Sequence, residues 1–197
     1  MAFVSRFSRS RSNSRSPSRK DPEKGSPAPS VAEIERLLCT GKTACNHADE
    51  VWPKLYIGDQ EIASDRRELV RLGITHILNC AQSKWRGGAE YYEGMNITYT
   101  GIEAHDSPTF DMSVNFYPAS EFIHKALSSG GTVLVHCAVG VSRSATLVLA
   151  YLMIRQNMTL VEAIKTVKDH RGVIPNRGFL RQLNGLDGIL RASRSGS

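Results

Sequence analysis

A short apolar strand that leads directly into a glycine-containing turn and a long apolar helix restricts the fold more than any other part of this chain. Residues 132–135 (Thr-Val-Leu-Val) form the continuous apolar run expected of a strand that is buried on both faces, as in a parallel sheet. Residues 136–143 follow with Gly140 among them, and residues 144–157 have the pattern of a core helix. The segment predicts a strand-turn-helix unit in the core.

Strand patterns and helix patterns alternate along the rest of the chain. A first helix is expected to begin after Ser30, which can form a capping box with Glu33. The other predicted helices cover residues 66–72, 113–128, 160–170 and about 177–190. The other predicted strands cover residues 55–58, 74–79 and 97–102. This alternation predicts an α/β fold with a mainly parallel central sheet flanked by helices.

The net charge of +6 resides in the first 20 residues, which carry six bases and no acid. The remainder carries 19 bases and 19 acids, so nucleic-acid binding by the folded part is not expected. Residues 1–30 interleave Arg with Ser and predict a disordered tail, which is followed by one domain over residues 31–193. A phosphorylatable arm, a nuclear address, a mitochondrial transit peptide and a plain solvated tail all stay open for this segment.

Cysteine content and hydropathy point to a reducing compartment, with cytoplasm and nucleus as the expected location. The four cysteines are too few for a disulfide scaffold, and no secretory apolar segment is present. No apolar run approaches the ~18 residues of a membrane-spanning helix. Cys39, Cys45 and His47 do not predict a zinc site, because a fourth ligand is missing and the spacing is unusual.

The segment from His136 to Ser144 (His-Cys-Ala-Val-Gly-Val-Ser-Arg-Ser) has the properties of an anion-binding turn. Backbone N–H groups at such a turn converge on one point, and the N-terminus of the following helix adds partial positive charge. The guanidinium of Arg143 presents a planar fork that matches two oxygens of a phosphate. Gly140 lets the backbone bend and approach the ligand closely.

Cys137 lies at the start of this turn, where the same groups favour the thiolate form. A phosphoryl group held above a sulfur nucleophile defines covalent phosphoryl transfer to cysteine. Ser144 can donate a hydrogen bond to the sulfur when it leaves in the second step. A buried thiol without chemistry is the alternative for a lone cysteine, but the surrounding motif disfavours it.

The chain resembles the cysteine-dependent protein tyrosine phosphatases over residues 136–144. Residues from about 44 to 190 resemble the catalytic domain of an atypical dual-specificity phosphatase. The similarity includes residues 50–59, residues 72–79 and residues 175–180. The resemblance implies that residues 31–193 fold as a dual-specificity phosphatase catalytic domain.

The resemblance also implies a role for each matching residue. Cys137 would form a phosphocysteine, Arg143 would stabilise the transferring phosphoryl group and His136 would support the loop. The phosphate-binding residues would be Ala138, Val139, Gly140, Val141, Ser142 and Arg143.

A general acid is needed because an unprotonated alkoxide or phenolate leaves poorly. Asp106 matches the family's position for this acid and would later act as the base on water. Asp111 is the rival candidate, but its place before Met112 and Ser113 is more typical of a helix cap.

The implied substrates are proteins that carry phosphotyrosine and phosphoserine or phosphothreonine. The loop side chains between Cys137 and Arg143 are uncharged, which disfavours substrates with several phosphates. Action on mitogen-activated protein kinases follows from the resemblance only, and a homodimer stays open. No cofactor and no metal are expected, since the thiolate and Arg143 supply the chemistry.

Two alternative functions stay open for this chain, and Cys80 has two possible roles. The chain could be a phosphate-binding adaptor with little turnover, or a nucleic-acid-associated protein that acts through its Arg/Ser tail. Cys80 ends a predicted sheet strand, where it is either a small buried hydrophobe or a reversible disulfide partner of Cys137.

Overall fold

A five-stranded sheet lies at the centre of the computed structural model, which describes residues 28–85 and 87–196. Residues 1–27 of the predicted tail lie outside the described residues. The strands are β1 (Ala48–Trp52), β2 (Leu55–Gly58), β3 (His76–Asn79), β4 (Thr98–Gly101) and β5 (Val133–His136). They lie in the order β1-β2-β5-β3-β4. Strand β1 pairs antiparallel with β2, and the other three pairings are parallel.

Helices cover both faces of the sheet. They are α1 (Val31–Leu38), α2 (Gln60–Ser64), α3 (Arg66–Leu72), α4 (Phe116–Ser128), α5 (Arg143–Arg155), α6 (Leu160–Lys168) and α7 (Arg177–Ser195). Short 3₁₀ turns occur at Gln82–Lys84, Ala89–Tyr92 and Ser113–Asn115. The architecture confirms the predicted α/β fold with a mainly parallel sheet.

The side chains of β5 alternate between two apolar cores. Val133 and Val135 belong to the larger core, which includes the buried residues of α4 to α7. Leu134 faces the smaller core on the other side, with Ile62 and Leu69. Because both faces of β5 are covered, all four of its residues are buried and its first three are apolar, as the sequence predicts.

Helix α5 passes through the larger core, and its residues Arg143 to Met153 are all buried. A helix that is buried all round has apolar side chains on every face, which agrees with the sequence of this segment. The helix begins directly after the turn that follows β5, so the core fixes the position of its N-terminus.

Local signals set several element boundaries. Ser30 and Glu33 form the predicted capping box at α1, with N···O distances of 3.2 and 2.8 Å. Gly73 ends α3 with a φ of 71°, a conformation that glycine adopts without strain. The predicted helix over 113–128 begins instead as a 3₁₀ turn and becomes α-helical at Phe116.

Two elements escaped the sequence analysis. Strand β1 lies at the sheet edge and buries only Val51 fully, so it lacks an apolar run. Helix α2 is five residues long and buries only Ile62 and Ala63. Within the described part of the chain, no helix is long and apolar enough to cross a bilayer.

Candidate active site

Cys137 follows β5 at the carboxyl edge of the sheet and is 1% exposed. Its Sγ lies 3.2 Å from the Ser144 Oγ, and the Gly140 N–H donates to it at 3.2 Å. In open parallel sheets, ligands bind beyond this edge of the strands. The structure therefore brings Cys137 and Ser144 together at the edge of the sheet where folds of this kind bind ligands.

Four carbonyl groups of residues 137–143, which we call the cysteine loop, accept hydrogen bonds from other parts of the chain. The Ala138 carbonyl accepts from the Gln60 N–H at 3.2 Å, and the Val141 carbonyl accepts from the Ile174 N–H at 2.9 Å. The Val139 and Gly140 carbonyls accept from the Arg171 guanidinium. Each of these four carbonyls is thus held by a group outside the loop.

Five N–H groups of the loop have no hydrogen-bond partner among the described residues. They belong to Ala138, Val139, Val141, Ser142 and Arg143. Unpaired N–H groups in a turn at the N-terminus of a helix form a concave site for an anion. The loop therefore leaves unpaired the N–H groups that the predicted anion-binding turn requires.

Gly140 has a φ of 70°, and its hydrogen faces a crowded region. A Cβ at this position would lie 2.5 Å from the Gly58 carbonyl oxygen and 2.6 Å from an Arg171 nitrogen. Only glycine fits both this conformation and this space.

Arg143 is 9% exposed and reaches across to the segment after β4. One guanidinium nitrogen donates to the Ala104 carbonyl at 3.1 Å. Its Nε is buried and has no hydrogen-bond partner among the described residues. A buried, unpaired guanidinium N–H beside five unpaired backbone N–H groups matches what a phosphate requires.

Arg171 is fully buried and binds the loop from outside, a role that the sequence analysis missed. Its Nε donates to the Gly140 carbonyl at 2.9 Å, and another nitrogen forms an ion pair with Asp49 at 2.8 Å. No signal for this role was available in the sequence, because Arg171 ends the polar run of residues 168–171, which is typical of an exposed turn.

His136 is fully buried, and its ring meets the edge of Trp85 at a centroid distance of 5.7 Å. Neither ring nitrogen has a hydrogen-bond partner in the described part of the chain. Burial lowers the pKa of His136 to about 4, so the ring is neutral near pH 7. Its carbonyl accepts the Cys80 N–H at 2.8 Å, which ties β5 to the end of β3.

Asp106 lies exposed in the segment after β4, and its Oδ1 accepts a hydrogen bond from the Asn176 side chain at 2.9 Å. Asp111 instead accepts hydrogen bonds from the N–H and the hydroxyl of Ser113. These bonds form a local turn before the 3₁₀ helix Ser113–Asn115, whose N-cap is Met112 without a side-chain cap bond, so the expectation that Asp111 caps a helix is wrong.

Cys80 is fully buried at the end of β3 with a free thiol, and burial raises its pKa. Its burial agrees with the alternative of a small buried hydrophobe, and a reversible disulfide with Cys137 stays open. Cys39 and Cys45 are exposed free thiols. Across residues 28–85 and 87–196, no group of three or more His, Cys, Asp or Glu side chains is placed to hold a metal ion.

Comparison with known proteins assigns the family. The model for the dual specificity phosphatase catalytic domain matches residues 55–187. The chain belongs to this family and is a dual-specificity protein phosphatase, as the resemblance implied.

Three similar proteins illustrate the relationship. Dual specificity protein phosphatase 26 of Homo sapiens is 66% identical over 198 residues, which cover 97% of this chain and 93% of the relative. Dual specificity protein phosphatase 13B of Homo sapiens is 56% identical over 166 residues, which cover 82% of this chain and 84% of the relative. The crystal structure of human DUSP28 has a TM-score of 0.68 at 27% identity, and the match covers 76% of this chain and 99% of that one.

Proposed function

We propose that this phosphatase hydrolyses phosphotyrosine and phosphoserine or phosphothreonine in proteins through a phosphocysteine at Cys137. The observation that carries this proposal is the set of unpaired hydrogen-bond donors at the cysteine loop. Five unpaired backbone N–H groups and the unpaired Nε of Arg143 lie at the loop that begins with Cys137. These donors match the charge that develops on the non-bridging oxygens of a transferring phosphoryl group.

In the first step, the Cys137 thiolate attacks phosphorus, so an S–P bond forms and the P–O bond to the substrate breaks. Asp106 donates its proton to the leaving oxygen. The donors of the cysteine loop and Arg143 hold the three non-bridging oxygens. Dephosphorylated substrate leaves, and the enzyme retains a phosphocysteine.

In the second step, water attacks the phosphocysteine and the S–P bond breaks. The Asp106 carboxylate accepts a proton from the water, which restores its acid form. Ser144, whose Oγ is 3.2 Å from the sulfur, donates a hydrogen bond to the departing thiolate. Inorganic phosphate is released, and no cofactor enters either step.

The surface beside the loop supports a protein substrate. Val139 is 62% exposed and Ile174 is 59% exposed, so two apolar side chains flank the entrance. No loop side chain between Cys137 and Arg143 carries charge that would bind a second phosphate. A phosphorylated residue in a peptide fits such a rim better than a polyphosphorylated small molecule does.

Mitogen-activated protein kinases are our candidate substrates, and family membership is the support for this choice. Phosphate release from a doubly phosphorylated kinase, followed separately at its tyrosine and threonine, tests it. Location in the cytoplasm and nucleus and formation of a homodimer stay predictions, which imaging and sedimentation would test.

The mechanism is tested by hydrolysis of an aryl phosphate by reduced protein across pH 5 to 8. We expect Cys137→Ser to abolish turnover, Asp106→Asn to alter the pH profile, and Cys45→Ser, an exposed control, to retain activity. Turnover that survives in Cys137→Ser would refute the proposal. Phosphate binding without wild-type turnover would favour the adaptor.

A further inference from the structure

We propose that Asn176 is a positioning residue for Asp106, and that the first two turns of α7 hold the segment that carries Asp106 in its working position. We call residues 104–112 the acid loop, and Asn176, Gly178 and Gln182 the α7 dock. This inference rests on the proposed function, because it concerns how the general acid of that reaction is placed.

Asn176 connects three parts of the site through one residue. Its side-chain NH₂ donates to the Asp106 Oδ1 at 2.9 Å, and its side-chain carbonyl accepts the Phe179 N–H at 2.9 Å as the N-cap of α7. Its backbone N–H donates to the Ser142 Oγ at 3.0 Å. Because the cap uses the amide oxygen, the NH₂ group must face Asp106, which fixes the orientation of the amide.

Gly178 lies in the first turn of α7, directly against the acid loop. A Cβ at this position would overlap the Pro108 carbonyl group, with its carbon only 2.6 Å away. The obstacle is backbone, so a flexible side chain cannot move aside to relieve it. The acid loop can therefore contact the helix only because residue 178 is glycine.

Gln182 lies one turn further along α7 and holds the end of the acid loop. Its NH₂ group donates to the Phe110 carbonyl at 2.8 Å. Its side-chain oxygen accepts the N–H groups of Met112 at 2.8 Å and Ser113 at 3.0 Å. Positions 178 and 182 are one helical turn apart and share a face of α7, so the dock is continuous.

The hydrogen bond from Asn176 determines which oxygen of Asp106 can carry the proton for the leaving group. Asn176 occupies Oδ1 of Asp106, while Oδ2 has no hydrogen-bond partner among the described residues, so Oδ2 is free to carry the proton to the leaving oxygen. Asp106 is exposed, and without Asn176 its carboxyl group would rotate freely in water. The α7 dock thus places the acid before substrate arrives, which saves the entropy of ordering it.

The test uses aryl phosphates whose leaving groups differ in acidity, because a strongly acidic phenol leaves without a proton donor. Asn176→Ser keeps an N-cap for α7 but cannot reach Asp106. We expect it to lower turnover of phenyl phosphate on the order of 10-fold, a fraction of what a general acid contributes, and of 2,4-dinitrophenyl phosphate less than about threefold. Gly178→Ala should show the same selectivity.

Asn184→Ser is the matched control, because Asn184 lies on the same helix and donates to the Pro29 carbonyl instead. It should leave both substrates unaffected. Amide hydrogen exchange over residues 104–112 provides a readout without turnover. It should accelerate in Asn176→Ser and Gly178→Ala, and not in Asn184→Ser.

Equal losses on the two substrates, or unchanged exchange in the acid loop, would overturn the α7 dock. Absence of Cys137-dependent turnover in the wild type would instead refute the proposed function. Hydrogen exchange would then decide alone whether α7 holds the acid loop, so the two failures are distinguishable.

Discussion

Arg171 shows how a single buried side chain supports the site without lying in it. All three guanidinium nitrogens are engaged: two bind the Val139 and Gly140 carbonyls, and the third binds Asp49 and the Asn46 carbonyl. Asp49 is itself only 10% exposed. A planar fork can satisfy these acceptors simultaneously, which an ammonium group cannot.

Replacement of Arg171 by leucine should lower the free energy of unfolding by about 3–5 kcal/mol, because Asp49 would be left buried without its partner. Turnover should fall as well, since the Val139 and Gly140 carbonyls lose their donors. Arg71→Ala, which breaks an exposed ion pair with Glu68, should cost no more than about 1 kcal/mol. Urea unfolding measures both. Equal costs would contradict the role of Arg171.

His136 makes stability depend on pH. Its pKa is about 4 in the folded protein, against an ordinary value of 6.5, because burial disfavours the charged ring. Between these values the unfolded chain binds a proton that the folded chain does not, so the free energy of unfolding falls as pH falls from 6.5 to 4. The full loss is about 3 kcal/mol, and this group contributes no pH dependence above pH 7.

Urea unfolding of the wild type and His136→Asn at pH 7, 5.5 and 4.5 measures this effect. The variant should lose less stability with acid than the wild type does. His170→Asn, which removes an exposed histidine, should keep the wild-type dependence. A His136→Asn profile parallel to that of the wild type would show that the ring does not cause the acid sensitivity.

At the scale of elements, β5 and α5 form the rigid support of the site. Leu149 is fully buried in α5, and Leu149→Ala should lower the free energy of unfolding by about 2–5 kcal/mol. Ile189, which is 66% exposed on α7, is the control, and Ile189→Ala should change it by less than about 0.5 kcal/mol. Thermal unfolding of the two variants tests this, and similar decreases in their melting temperatures would argue against α5 as the core helix.

Elements with local signals were predictable from the sequence. Helix α3 has an N-cap at Asp65 and ends at Gly73, and its observed range equals the predicted range of 66–72. The predicted strand over residues 55–58, which ends at a glycine, also has the predicted range in the structure. Strand β1 was missed because it gains its stability from pairing with β2, a contact that the pattern of its own side chains does not reveal.

In the site, too, features that are local in sequence were predictable and contacts between distant residues were not. Residues 136–144 are contiguous, so the sequence places the cysteine, the turn and the helix N-terminus together. The contacts of Arg171 and Asn176 with the cysteine loop join residues that are 31 and 34 positions apart, and only the folded chain shows them. The α7 dock was not predicted, because the acid loop lacks regular structure and its partners come from a distant helix.

At the scale of the whole molecule, Arg143 and Asn176 join the cysteine loop to the segment that carries Asp106. Cys137 follows β5 at the sheet edge, α5 begins with Arg143, and Asn176 at the N-cap of α7 donates a hydrogen bond to Asp106. The charge surplus of the chain lies in residues 1–20, away from this assembly in sequence. Cys137, Arg143 and Asp106, to which we assign the chemistry, all lie among the described residues.

The most direct test of the central claim is to trap the phosphorylated enzyme. Ser144→Ala should retain the first step and slow the second on the order of 10-fold, because the departing thiolate loses a hydrogen bond. Rapid acid quench with an activated aryl phosphate, followed by mass spectrometry, should show phosphate on Cys137, and none in Cys137→Ser. Turnover with phosphate on another residue, or with no phosphorylated enzyme under conditions of slowed hydrolysis, would contradict the account.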